Sequence, residues 1–122
     1  MAKALKESED KLIAFFQALS DDPAGLANWR CLHIEIVSTQ QEINKDVIQA
    51  EAYEIIHNHM KEGQGTVIFL GSKDIYILCR DVVESKLSYI ASKIAQFIRT
   101  ETGGETRYTI LSTSVMNNGT DV

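Results

Sequence analysis

The chain has few of the residues that would mark a specialised surface. It holds one proline and two cysteines, and lysine and arginine never cluster into a run. Its formal net charge of −5 argues against a nucleic-acid or anionic-membrane surface, because both select basic patches. No apolar stretch has the length of a membrane span, and the first residues form no signal-peptide hydrophobic region. We therefore expect a cytoplasmic domain with no nucleic-acid partner and no membrane partner.

The two cysteines are far apart in the sequence. Cys31 and Cys79 each lie inside an apolar pattern that is typical of a strand. Such residues are usually buried free thiols in a reducing compartment. We expect this role for both, in preference to a disulfide or a metal pair.

The apolar content is sufficient for one folded domain. With 122 residues, 44% of them hydrophobic, the chain can bury a core of its own. The pattern divides it into an N-terminal helix with a connector (1–27), a folded domain (28–115) and a flexible tail (116–122).

The first part of the chain predicts a helix and a strand. Apolar residues at helical spacing predict an amphipathic helix from Ser8 to Leu19, with Leu12, Phe15, Phe16 and Leu19 on one side. Pro23 suits the first position of a short helical turn that reaches Leu26. Alternating residues predict a strand from Trp29 to Val37.

The middle of the chain predicts a second helix. Thr39 and Glu42 have the spacing of a capping box, which places the helix start there. Gly63 and Gly65 mark its end. The apolar stripe between them consists of Ile48, Ala52, Ile55, Ile56, His59 and Met60.

A hairpin and a third helix follow. Two β-prone runs from Thr66 to Cys79 flank the turn Gly71–Asp74. A helix with Asp81 as a capping residue comes next and ends at Thr102–Gly104, and Arg107 to Ser112 is a last strand. The stripe of that helix consists of Val83, Leu87, Ile90, Ala91, Ile94, Phe97 and Ile98.

The order of elements, β-α-β-β-α-β after an initial helix, predicts an α+β, ferredoxin-like fold. Its four strands form an antiparallel sheet with two helices on one face. The opposite face must be covered by the N-terminal helix, a partner or a ligand. Function is best sought on that face.

Cys31, His33 and Glu35 alternate along the first strand, so they share one face of the sheet. Cys79 on a neighbouring strand is expected nearby, and this set of side chains is chemically able to bind zinc. The spacing lacks the close ligand pairs of zinc modules, however. We expect a half-covered sheet face instead, with no metal, and a nucleophile–base role for Cys31 and His33 is weaker still.

His57 and His59 are two residues apart on the predicted helix, and their side chains diverge by about 200°. Histidines that share a metal ion on a helix face are three or four residues apart. We expect His59 on the buried stripe and His57 in solvent, both with structural roles.

The hairpin turn Gly71-Ser72-Lys73-Asp74-Ile75, the aliphatic strand after it and the helix from Asp81 resemble GGDEF domains. These are the diguanylate cyclases, which make cyclic di-GMP. The pair Ile43-Asn44 matches the Ile-Asn of that family's upstream motif. The resemblance covers most of 30–114 and implies the βαββαβ fold and a place in bacterial signalling.

The residues that differ from the GGDEF pattern are the metal-binding acids. The resemblance implies two divalent ions held by acids of the first strand and the turn. Here Ile36, Ser38 and Lys73 stand at such positions, and Asp74 is the acid that remains. A lysine repels Mg²⁺ but can attract a phosphate. We therefore predict no cyclase activity, no enzyme and no cofactor.

The sequence thus predicts a non-catalytic regulatory or protein-interaction module, working with a protein partner or as a homodimer and with a nucleotide as a further ligand. The candidate contact residues are His33, Glu35, Asn44, Ser72, Lys73 and Asp74. The alternative is a small-ligand sensor similar to ACT domains. The glycine expected after the first strand of such a sensor is missing from Val37–Gln40.

Overall fold

A computed structural model describes residues 2–21, 24, 28–71 and 73–112, with side chains from Asp10 onward. These residues form the following elements in chain order: α1 (Ala2–Asp21), β1 (Trp29–Ser38), α2 (Lys45–His59), β2 (Gly65–Leu70), β3 (Asp74–Arg80), α3 (Glu84–Thr102) and β4 (Glu105–Ser112). The predicted helical turn at 23–26, apart from Ala24, and the predicted tail lie outside the described residues.

The described strands form one antiparallel sheet in the order β2-β3-β1-β4. This order, with α2 and α3 as the crossovers, confirms the predicted ferredoxin-like α+β fold with an extra N-terminal helix. Leu32 at the centre of β1 lies opposite Ile77 of β3 and Ile110 of β4. Side chains that lie opposite one another share a face, so this row belongs to a single apolar layer.

The sheet has two apolar faces, and each has its own hydrophobic cluster. The face that packs against α2 and α3, here called the inner face, carries the main core, in which Leu32, Ile34 and Ile77 are fully buried. The opposite or outer face carries a smaller cluster beneath α1. This outer cluster consists of Leu12, Phe15 and Leu19 of α1 with Cys31, Ile68 and Leu78 of the sheet. Of the three coverings that the sequence left open for this face, the structure shows the N-terminal helix.

α1 begins earlier than predicted. It starts at Ala2 and not at Ser8, and it ends at Asp21. The apolar stripe identifies only the part of the helix that packs against the sheet. The preceding segment has no apolar period but is rich in alanine, leucine, lysine and glutamate, which favour helix without any packing.

The predicted start of α2 is wrong. The helix begins at Lys45, and the Asn44 side chain caps it by accepting hydrogen bonds from the N–H groups of Asp46 (3.1 Å) and Val47 (3.3 Å). The N–H groups of Gln40 and Gln41 instead donate to the Thr102 carbonyl at the end of α3, at 2.9 and 3.1 Å. The capping-box segment is therefore a loop tied to α3.

Replacing Asn44 with alanine should lower the free energy of unfolding by about 1 kcal/mol, because two N–H groups of α2 lose their acceptor. Urea unfolding followed by circular dichroism measures the change. The control is Glu42→Ala, at the exposed position that the capping-box interpretation favours. A larger loss for Glu42→Ala than for Asn44→Ala would restore that interpretation.

Both glycine segments that were predicted to end helices lie near helix ends. α2 already ends at His59, and Gly65 lies where a Cβ would come within 2.8 Å of the Met60 sulfur. Gly103 caps α3 with φ 66°, and its N–H donates to the Arg99 carbonyl. Left-handed φ values of this kind favour glycine.

The predicted cap at the start of α3 is wrong. Asp81 has φ 59°, and the capping position belongs to Val83, which makes no side-chain capping hydrogen bond. Val82 turns into the main core instead. Val82 is 4% exposed there, and the helix starts two residues later, at Glu84.

The edge strand β2 is protected by a tyrosine of α2. The Tyr53 hydroxyl donates to the Val67 carbonyl (3.4 Å) and accepts from the Val67 N–H (3.3 Å). These backbone groups would otherwise be open to a strand from another chain. Addition of a strand at the centre of β2 is thereby opposed.

None of the described helices has the length and apolar character needed to cross a bilayer.

Candidate functional site on the outer face of the sheet

A row of charged side chains crosses the outer face at the end nearest the hairpin turn. Asp74 of β3 lies opposite Glu35 of β1, and Glu35 lies opposite Arg107 of β4. Arg107 Nε donates to Glu35 Oε1 at 2.7 Å. Two members of the row, Glu35 and Arg107, are therefore paired with each other. It lies on the same face as α1.

His33 connects this row to an aromatic stack. Its Nε2 donates to Asp74 Oδ1 at 2.8 Å, and its ring stacks on Tyr76 with centroids 4.3 Å apart and planes 2° from parallel. The side chain of His33 is 24% exposed and that of Asp74 is 40% exposed. Solvent therefore still reaches both groups, and a ligand could do so as well.

The stack continues into α1. The Phe16 ring meets the Tyr76 ring edge to face, with centroids 5.8 Å apart. Burial, and then the negative charge of Asp74, raise the pKa of the Tyr76 phenol. A continuous path of contacts thus leads from Asp74 through His33 and Tyr76 to the N-terminal helix.

The expected grouping of the two cysteines is wrong. Cys31 shares the outer face with His33 and Glu35, as predicted, but it lies opposite Leu78, whereas Cys79 lies opposite Arg30. Cys79 therefore points into the main core, where its Sγ–H donates to the Arg30 carbonyl at 3.4 Å. In the described part of the chain, no group of three potential ligands is placed to hold a metal ion.

Both thiols are fully buried and free, as expected. Burial raises the pKa of Cys31 from 9.0 to about 12 and that of Cys79 from 9.0 to about 12. Each thiol is therefore neutral and unreactive in the native state. The two thiols differ in what covers them, because Cys31 lies beneath α1 and Cys79 lies beneath α2 and α3.

The raised thiol pKa values predict a loss of stability in alkali. Below pH 9 both states keep these protons, whereas between pH 9 and about 12 only the unfolded state releases them. Each thiol then lowers the free energy of unfolding by about 1.4 kcal/mol per pH unit. Urea unfolding from pH 8 to 11 should show a shallower decline for Cys31→Ala and for Cys79→Ala than for the wild type. Equal slopes in the three proteins would contradict this.

The other predicted contact residues are dispersed. Asn44 caps α2, Lys73 is exposed in the turn, and Ser72 lies outside the described residues. Ile36 is 1% exposed in the main core, and its N–H donates to the Lys73 carbonyl at 2.8 Å. Among the predicted residues that the structure describes, it brings together His33, Glu35 and Asp74.

The two histidines of α2 diverge as predicted. His57 is exposed, and His59 is half-buried, with its ring in an edge-to-face contact with the Tyr89 ring at a centroid distance of 5.1 Å. The contact joins α2 to α3 and has a packing role.

A groove of about 520 Å³ lies between α1 and the sheet, at the opposite end of the outer face from the charged row. Nothing in the sequence pattern indicated it, because it forms where α1 docks and leaves the sheet partly uncovered. Its described lining consists of Lys11, Ala14, Phe15 and Ala18 of α1 with Trp29, Gly63, Gln64, Thr66 and Leu78. Most of these surfaces are apolar.

In comparisons with known proteins, no family model matches the chain, and no curated protein matches it. The resemblance to GGDEF domains stays a prediction from the sequence.

Proposed function

We propose that this chain is a non-catalytic regulatory or protein-interaction module of a bacterial signalling protein, and that α1 is its movable element. The observation that carries the proposal is the separation of the outer cluster from the main core. A helix held by a cluster of its own can leave the sheet while the rest of the domain stays folded.

The strength of α1 docking supports this role. Three described side chains of α1 are buried in the outer cluster: Leu12, Phe15 and Leu19. Burial of each contributes at most roughly 1.5–3 kcal/mol, and ordering the helix offsets part of that gain. The main core joins α2, α3 and the sheet through many more buried residues. Opening of α1 should therefore cost less than global unfolding.

The surface beneath α1 suits an amphipathic helix from a partner. Opening would uncover Cys31, Ile68 and Leu78, which are apolar and fully buried or nearly so. Tyr53 opposes strand addition at the centre of β2, which favours docking on this face over the edge. The occupant is a protein partner or the α1 of a second copy, which would give a homodimer by exchange.

The positions of the acids support the absence of catalysis. Ile36, at the place of one family acid, is a main-core side chain, and Asp74 is hydrogen-bonded to His33. Asp74 alone gives little charge with which to hold two divalent ions against the triphosphate.

The non-catalytic part of the proposal is tested by incubating the purified chain with GTP and Mg²⁺ or Mn²⁺ and separating the nucleotides chromatographically. We expect no conversion above a protein-free control. A product that grows with protein concentration would end the proposal that the module is non-catalytic.

The interaction part is tested with a fluorescein-labelled peptide of residues 2–21. We expect saturable binding to the full chain, at a rate limited by the opening of the chain's own α1. A peptide that carries Leu12→Ala and Phe15→Ala is the matched control and should bind at least tenfold more weakly. Equal binding of the two peptides, or no binding, would contradict the movable helix.

The second candidate function is a small-ligand sensor. The groove between α1 and the sheet favours it, because a ligand there would contact both the movable element and the fixed one.

A further inference from the structure

We propose that the groove between α1 and the outer face binds a small carboxylate with an apolar body, such as an acyl chain, and that the bound ligand fastens α1 to the sheet. The binding itself stands independently. The fastening rests on the proposed function, in which α1 is movable.

The walls of the groove determine the apolar part of the ligand. Phe15 and the small side chains Ala14 and Ala18 form the α1 side, and Trp29 and Leu78 belong to the sheet. The volume of about 520 Å³ falls within the range of small-molecule sites. The alanines leave room beside the aromatic rings, so a chain of several methylene groups can lie along the helix.

The charges around the groove determine the polar part. Lys11 is the only charged residue among those described as lining it. Beyond Trp29, the Arg80 guanidinium carbon lies 5.7 Å from the centroid of the indole ring, but Arg80 Nε is also 3.9 Å from Asp81 Oδ2, so this pair adds little net charge at that end. The chain as a whole carries a formal charge of −5, so the positive charge of Lys11 at the border of the groove is a local exception. An ammonium point charge at the border of an apolar groove selects an anionic head group on an apolar body.

The position of the ligand explains the fastening. A molecule in the groove contacts α1 on one side and Trp29 and Leu78 on the other, and the groove exists only while α1 is docked. A ligand that binds only the docked state shifts the equilibrium towards that state in proportion to its occupancy. At a free ligand concentration of ten times Kd, opening of α1 should become about tenfold rarer.

The single tryptophan of the chain is Trp29, so its fluorescence reports on the groove directly. The probes are decanoate, kept below its micelle-forming concentration, and decanol as the uncharged match. We expect decanoate to change Trp29 emission saturably and decanol to bind about fivefold more weakly. Lys11→Ala should weaken decanoate binding by a similar factor, and Ala14→Phe, which fills the groove, should abolish it. Lys45→Ala, on the exposed first turn of α2, is the matched control and should bind decanoate as the wild type does.

The fastening has a separate readout in the alkylation rate of Cys31, which lies beneath α1. Decanoate at ten times its Kd should lower this rate about tenfold.

No saturable change in emission, or equal binding by wild type and Ala14→Phe, would overturn the binding site. Equal affinity for decanoate and decanol would overturn the role of Lys11. Saturable binding with an unchanged Cys31 rate would overturn the fastening alone. GTP turnover would contradict the proposed function without affecting any of these results.

Discussion

Replacing Ile77 with alanine should lower the free energy of unfolding by about 3 kcal/mol and leave the alkylation rate of Cys31 unchanged. Ile77 is fully buried at the centre of β3, in the main core, and its truncation leaves a cavity there. Cys79 shares that core, so its alkylation should accelerate on the order of 100-fold. Cys31 needs only α1 to open, and that opening keeps the main core intact. Urea unfolding and peptide-level mass spectrometry after timed alkylation measure the three quantities.

Ile77→Val is the matched control, because it removes one methylene from the same site and should cost about 1 kcal/mol. A Cys31 rate that rises in parallel with the Cys79 rate in these variants would mean that the two clusters unfold together. In that case α1 is not a separate element, and the proposed function loses its basis.

Replacing Phe15 with alanine should accelerate the alkylation of Cys31 on the order of 100-fold. Phe15 is 4% exposed and belongs to the cluster that covers Cys31. Truncating a buried phenylalanine costs about 3–5 kcal/mol in a well-packed core, and partial relaxation of a surface helix reduces this to about 2–3 kcal/mol. Because global unfolding also breaks the docking contacts, the rate for Cys79 should rise by a similar factor. Phe15→Ala thus accelerates the alkylation of both thiols, whereas Ile77→Ala accelerates that of Cys79 alone.

The matched control for Phe15→Ala lies on the same helix. Ile13 is 52% exposed, so Ile13→Ala removes a similar apolar group from the solvent side of α1. It should change the Cys31 rate less than threefold, because it costs only a few tenths of a kcal/mol. A large effect of Ile13→Ala would mean that α1 docks in another orientation.

Much of the fold could be predicted because its patterns are local. The stripe of α3, with Leu87, Ile90 and Ile94 all fully buried, has a period that only a helix satisfies. The two β-prone runs on either side of the turn at Gly71 likewise predicted β2 and β3 from local sequence. The helix starts were less predictable. Two capping signals compete for the start of α2, the capping box at Thr39 and the asparagine at position 44. Hydrogen bonds from the Gln40 and Gln41 N–H groups to the Thr102 carbonyl hold the first of these segments in a loop, so the helix starts after Asn44.

The candidate site depended on strand register, which the sequence left open. A shift of one residue between β1 and β3 moves Cys79 from one face to the other, and the observed register pairs it with Arg30. The alternation of Cys31, His33 and Glu35 lies within one strand and was therefore predictable. The partner of Glu35, Arg107, comes from a strand 72 residues away and gives no local signal.

The groove could not be predicted for a similar reason. It depends on where α1 lies across the sheet, which follows from the fit of Leu12, Phe15 and Leu19 against three strands. An amphipathic pattern identifies the buried side of a helix but not its position on the layer it covers.

The central claim is that α1 opens independently of the rest of the domain, and the wild-type chain carries its own reporters of this. Cys31 and Cys79 are both fully buried, one beneath α1 and one in the main core. The decisive measurement is the alkylation rate of each thiol at several low urea concentrations, read by mass spectrometry of the two cysteine peptides. Independent opening predicts that Cys31 reacts at least tenfold faster than Cys79 and with a much weaker dependence on urea, because less surface is exposed. Equal rates with equal urea dependence would contradict it.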